Sequence, residues 1–156
     1  MRSKGGGVSL QKRATALKVA SAGKSKRQAT YAKLKKRLDQ VFSEWTRRRF
    51  ADQSGMVRCI TCQRLSHWKT LQNGHFIPRH YLAGRWHPDN CAPQCPSCNL
   101  WGRGRYPEYS AWGINHYGQD WLNRMIALKR EVYKWSRQDL QQMIEDYETR
   151  LRQMEQ

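Results

Sequence analysis

The chain has 156 residues, one domain's worth, and carries 29 Lys and Arg against 12 Asp and Glu, a formal net charge of +17. Such a surplus means self-repulsion in a free globule and suits a polyanionic partner, nucleic acid first and an anionic membrane surface second. No apolar run approaches the roughly 18 residues of a membrane span, and the opening "MRSKGGGVSLQKRATALK" lacks the apolar stretch of a secretory leader, so the expected location is the cytoplasm, with no membrane partner.

Residues 1–50 hold 15 Lys and Arg against two acids, Asp39 and Glu44. Within them, residues 1–26 are rich in Gly, Ser, Ala and Lys without apolar periodicity, which predicts a disordered basic arm suited to neutralising phosphates. Residues 27–54 place Tyr31, Leu34, Leu38, Val41, Phe42 and Trp45 at helical spacing. This predicts a basic amphipathic helix whose apolar stripe is core or a dimer seam, and whose opposite face can lie along a phosphate backbone.

Residues 55–118 change character. Gly, Pro, Asn and Cys are dense, strands must be short, and apolar content is thin; such a segment needs a metal to fold. "CITC" and "CPSC" bring Cys59, Cys62, Cys95 and Cys98, two Cys-x-x-Cys pairs separated by 32 residues. Each pair turns tightly enough to aim both sulfurs at one ion, and four thiolates close a tetrahedral structural Zn2+ site with no open position for chemistry. Free or redox-active thiols are the alternative. His67 is placed to replace a thiolate, but four cysteines make that unnecessary. Cys91 reads as a small buried hydrophobe.

Over residues 119–156, and in "PEYSAWGINHYG" just before, the pattern is helical. Leu140, Met143, Ile144, Tyr147, Leu151 and Met154 form one stripe, again core or subunit contact, and Ser136 is an N-cap with Asp139 three residues on. The expected fold class is α+β, mostly helical: a small zinc-stabilised core flanked by N- and C-terminal helices.

Any catalysis must rest on other residues. His75 follows Gly74 in "NGHFIPR", Asn90 precedes the second cysteine pair, and Asn99 directly follows Cys98, which holds it within a few ångströms of the zinc. Arg79, Arg85, Arg103 and Arg105 flank the knuckles and suit bidentate phosphate contact. Trp68, Trp86 and Trp101 are read as packing the metal domain, with stacking on unpaired bases as the alternative. From these residues alone the chain is a zinc-stabilised nucleic-acid binder, with nuclease chemistry open.

The runs "CITC", "NGHFIPR", "NCAPQCPSCN" and "GRYPEYSAWGINHYG" resemble the phage NinG/Rap recombination endonuclease family, within the four-cysteine subgroup of HNH (ββα-metal) nucleases. The resemblance implies a treble-clef zinc core over residues 55–118. It also implies a catalytic Mg2+ or Mn2+ on the scissile phosphate, with His75 as general base, Asn99 as metal ligand and Asn90 bracing the loop. The implied substrate is branched DNA, Holliday junctions and D-loops, cut to 5′ phosphate and 3′ hydroxyl by a homodimer, with recombination proteins as further partners. In the related phage resolvase endonuclease VII an aspartate precedes the base histidine and helps bind metal; here Gly74 stands there, so Asn73, Asp89, His80, His87 or water must complete the shell. Two other readings remain: a non-catalytic zinc module that binds DNA or RNA by charge, and a scaffold docking onto a recombinase through its C-terminal helix.

Overall fold

The computed structural model describes residues 29–155; the basic arm expected at 1–26 lies outside them. Helix α1 spans Tyr31–Arg48, started by Thr30, whose hydroxyl accepts from the Lys33 N–H at 3.3 Å. Strands β1 (Met56–Arg58) and β2 (Leu65–His67) form an antiparallel hairpin whose connection carries the first cysteine pair. Strands β3 (Gln72–His75) and β4 (Cys91–Gln94) form a second antiparallel pair, with Gly74 opposite Ala92 and His75 opposite Cys91. Between them lies one turn of helix, α2 (Leu82–Arg85). Beyond β4 come a short π-helical turn at Ser97–Trp101 and helices α3 (Tyr106–Tyr117), α4 (Trp121–Arg130) and α5 (Arg137–Gln153). The architecture is mostly helical α+β.

The two apolar stripes find each other. Leu34, Leu38, Val41, Phe42 and Trp45 of α1 share one buried cluster with Leu140, Ile144 and Tyr147 of α5. Phe42 meets Tyr147 edge-on at 5.0 Å between ring centroids, a favoured aromatic geometry. Most of both stripes is therefore core within the chain, while Met154 at the end of the second stays exposed. Ser136 and Asp139 form a reciprocal capping box at the start of α5, closing two backbone donors that a helix start leaves unpaired. A second cluster joins Phe76, Ile77 and Ala92 around the β3–β4 pair to Tyr109 of α3 and Trp121 and Met125 of α4. There Gly113 lets α4 approach: a Cβ at that position would run into the Trp121 indole.

Asp39 ties α1 to α2. Its carboxylate accepts from Arg85 Nε at 3.0 Å, from Arg85 Nη2 at 2.6 Å and from the Trp86 indole N–H at 2.9 Å, the planar fork that arginine makes with a carboxylate. Other arginines at the C-terminal end of α1 also serve the fold. Arg47 donates to the carbonyls of Trp68 and Leu71, and Arg49 to those of Pro88 and Cys91. Burial lowers the Arg47 pKa from its ordinary value. The exposed basic side chains of the helix are thus mainly Lys33, Lys36 and Arg37, and Arg37 is paired with Glu148.

Replacing Asp39 by Ala leaves the nearly buried Arg85 guanidinium without its carboxylate. Stability should fall by about 1–3 kcal/mol, read as a lower urea midpoint at unchanged slope, with a smaller loss for Asp39→Asn.

Candidate functional site

The four cysteines of the two pairs converge. The sulfurs of Cys59, Cys62, Cys95 and Cys98 all lie within 4.8 Å of one another, and Cys62 Sγ to Cys95 Sγ is 3.8 Å. Zn–S bonds of ~2.3 Å in a tetrahedron put sulfurs ~3.8 Å apart, so the set fits a zinc ion held by Cys59, Cys62, Cys95 and Cys98 and closed to other ligands. The local backbone supports that geometry. Gln63 takes a left-handed φ of 60° just after Cys62, and its N–H donates to the Cys59 carbonyl at 2.9 Å. The Cys95 N–H donates to Cys59 Sγ at 3.3 Å, and the Thr61 hydroxyl lies 3.3 Å from the same sulfur. Burial acts to raise the Cys59 pKa, but these donors outweigh it and hold the thiol at about 6. Burial, helped by neighbouring thiols, pushes Cys98 up to about 12. Four thiolates in this volume ionise together only around a cation.

The Cys95–Cys98 turn delivers Asn99, whose N–H donates to the Cys95 carbonyl at 2.9 Å. Its side-chain Nδ2 donates to Gln72 Oε1 at 2.8 Å, which leaves Asn99 Oδ1, a neutral hard oxygen, without a hydrogen-bond partner among the described residues. Gln72 is a site residue that no motif marks.

His75, half-buried at the end of β3, places Nε2 3.0 Å from the Arg85 carbonyl. A carbonyl only accepts, so Nε2 carries the hydrogen and Nδ1 keeps its lone pair. Burial lowers the His75 pKa from the ordinary 6.5, although the Arg85 and Asn73 carbonyls favour the charged form. Asn90 is fully buried under the site and makes three side-chain bonds. It accepts from Ile77 N–H at 2.6 Å and donates to the carbonyls of Ile77 at 2.9 Å and Gly84 at 2.8 Å. Those bonds fasten the loop between β3 and β4. The Tyr109 hydroxyl reaches the carbonyls of Gly74 and Asn90 at 3.2 and 3.3 Å, joining α3 to β3 and to the turn that leads into β4.

His75 and Asn99 line one cavity of about 610 Å3 with Gln72, Asn73, Arg79, Arg85 and Arg103. Of the arginines expected to contact phosphate, Arg79 and Arg103 are exposed on its wall. Arg105 lies outside the cavity and pairs with Glu108. Arg85 departs from expectation: its side chain is 10 % exposed, and Asp39 and the Arg79 carbonyl take its donors, so it supports the wall instead of reaching outward. Of the groups considered for the ligand position missing at Gly74, Asn73 lines the cavity, while Asp89, His80 and His87 do not. Asp89 lies beneath Trp121, whose indole N–H donates to its carbonyl at 2.9 Å.

The glycine itself has a steric reason. A Cβ at Gly74 would run into the side-chain amide of Gln94, with Cδ at 2.8 Å, and Gln94 is fully buried, donating to the Gly104 carbonyl at 2.9 Å. A longer residue at position 74 would displace Gln94 from the zinc turn.

Trp86 packs in the α1–α5 cluster, at 4 % exposure. Trp68 sits beside Arg47 and Arg48, at 5.3 and 5.5 Å from ring to guanidinium carbon. Trp101, also expected to pack, is 85 % exposed. Cys91 is buried in the α1–α5 cluster, and burial pushes its thiol up, keeping it protonated. No helix among the described residues is long and apolar enough to cross a membrane.

A family model described as bacteriophage lambda NinG protein matches residues 7–156 of the chain. No curated protein and no solved structure matches it.

Replacing Cys98 by Ser should take bound zinc from one ion per chain to a fraction of that. Affinity should drop by more than the ~10–100-fold of an outer-contact change, with loss of near-ultraviolet circular dichroism. Zinc released to a colorimetric chelator measures the first and the spectrum the second.

Proposed function

From a chain that belongs to the bacteriophage lambda NinG family and lines one cavity with a half-buried histidine and an asparagine amide, we propose a divalent-metal-dependent DNA endonuclease that cuts branched recombination intermediates. The observation that carries this reading is the pairing of His75 and Asn99 in one arginine-walled cavity fastened to the four-cysteine cluster. A non-catalytic zinc module has no use for such a pairing. The chain order of β3, β4 and a helical turn that includes Cys98 is also what a ββα-metal nuclease of the HNH type requires.

His75 is the general base in this reading. Its Nε2–H is anchored to the Arg85 carbonyl, so Nδ1 accepts the proton of the attacking water, and a pKa held below 6.5 keeps the ring neutral at physiological pH. Asn99 Oδ1 is the protein oxygen for a Mg2+ or Mn2+ ion, and its Nδ2 bond to Gln72 fixes the amide's orientation. When bound, the ion supplies positive charge at the scissile phosphate and the leaving 3′ oxygen. Arg79 and Arg103 hold the strand's phosphates, and Asn90 keeps the His75 loop at its distance from β4. Among the described residues Asp39 is the one carboxylate lining the cavity, and it is taken by Arg85 and Arg79, so the residues that would hold the metal offer neutral oxygens and would bind it weakly without substrate. A four-way junction needs two cuts, which makes a homodimer the working form.

The test mixes purified protein with a labelled four-way junction and a matched linear duplex, with Mg2+, with Mn2+ and with neither. Cuts near the branch in either metal, reduced ~10²–10⁴-fold in His75→Ala with zinc content and junction binding retained, are the expected result. Tight binding with no cutting in either metal would leave a binding module with a structural histidine.

The pH profile is a separate check. Because burial depresses the His75 pKa, the free enzyme loses its base only on acidification below 6.5. The acid limb of kcat/KM should therefore lie below pH 6.5, and an acid limb above 7 would exclude His75 as the group observed.

A further inference from the structure

Six of the seven tryptophans are buried or half-buried. Trp101 is 85 % exposed and belongs to none of the three buried clusters. The turn that presents it is tied down on both sides. Cys98 belongs to the thiolate cluster, the Gly102 N–H donates to the Ser97 carbonyl at 2.7 Å, and the Gly104 N–H donates to the Cys98 carbonyl at 3.0 Å. A Cβ on Gly102 would stand 2.9 Å from the Cys98 carbonyl. Beyond it Arg103 and Arg105 take left-handed φ values of 50° and 46°, a region that side chains with a Cβ disfavour. The turn's shape is imposed by its surroundings, and it holds a bare indole out to solvent at small entropic cost on contact.

Its position is specific. Asn99, Leu100 and Arg103, on either side of Trp101 in the chain, all line the cavity that contains His75. Trp101 itself does not line that cavity, but an exposed indole two residues before Arg103 in the chain, on a chain of net charge +17, supplies the two elements of a single-strand site: a cation for the phosphate and a flat aromatic for the base.

We infer that Trp101 is a stacking platform for an unpaired nucleobase of the DNA strand whose phosphate lies between Arg79 and Arg103. This rests on the proposed seating of a DNA strand in the His75 cavity. In a continuous duplex both faces of each base are covered by its neighbours. An indole on this turn is therefore covered by a base only where bases are unstacked, as at a branch point or a frayed end. Trp101 supplies a preference for branched over linear DNA without any base-specific hydrogen bond.

The experiment uses the full chain and four-way junctions carrying 2-aminopurine at successive positions around the branch, in buffer without divalent metal. The proteins are wild type, Trp101→Phe and Trp101→Ala, each checked for bound zinc. The wild type should change 2-aminopurine emission at positions next to the branch. Trp101→Ala should abolish that change and weaken junction binding about tenfold while linear-duplex binding changes less than about twofold, and Trp101→Phe should keep most of both. Unaltered emission changes and junction affinity in Trp101→Ala would overturn the inference. So would a Trp101→Ala protein whose only change is dissociation of the chain in solution, which would make the indole a protein contact. Because the assay omits divalent metal, it is independent of cleavage. A Trp101-dependent signal from a chain that cuts nothing in Mg2+ or Mn2+ upholds the platform and removes the endonuclease reading.

Discussion

Four sulfurs within 4.8 Å of one another connect two turns that stand 32 residues apart in the chain, and much of the site hangs from that junction. β4 runs straight into Cys95, so anchoring the second cysteine pair also sets where the β3–β4 register sits, and with it His75 opposite Cys91. Asn99 follows Cys98 and inherits its position. A few three- and four-residue strands cannot bury enough apolar surface to offset the entropy of ordering the long connection between the pairs. A zinc-binding free energy that appears only in the folded state can.

The charge of the chain divides into two populations that a count cannot separate. Arg47 and Arg49 turn inward to satisfy backbone carbonyls around the hairpins, and Arg85 forms a fork with Asp39. These guanidiniums serve where short strands and loops leave acceptors unpaired. Arg79 and Arg103 are exposed on the cavity wall, and Arg79 also approaches the Asp39 carboxylate at 3.6 Å. Part of the positive charge is therefore used inside the fold, and the net charge of +17 overstates what is presented to a polyanion.

Gly74 and Gln94 form a matched pair. The buried Gln94 amide bridges the zinc turn, through Thr61, to the Gly104 carbonyl, and the missing side chain at 74 makes room for it. The proposed metal shell thus lacks the carboxylate that a residue at this position would bring, and relies on Asn99, oriented by Gln72.

The features legible in the sequence are those set by near neighbours. Cys-x-x-Cys spacing names the metal ligands. Period-3.6 stripes name α1 and α5, and Ser136 with Asp139 names a capping box, because each depends on contacts three or four residues away. What the tertiary structure alone decided depends on partners far along the chain. The α1 and α5 stripes became core because they met each other; Arg85 was drawn from the surface by Asp39, 46 residues away; Gln72 joined Asn99 across 27 residues; and Trp101 was left outside while six like residues were covered. Composition and spacing assign a residue its chemistry, but whether that chemistry is used for folding or faces a ligand is settled by which distant groups arrive beside it.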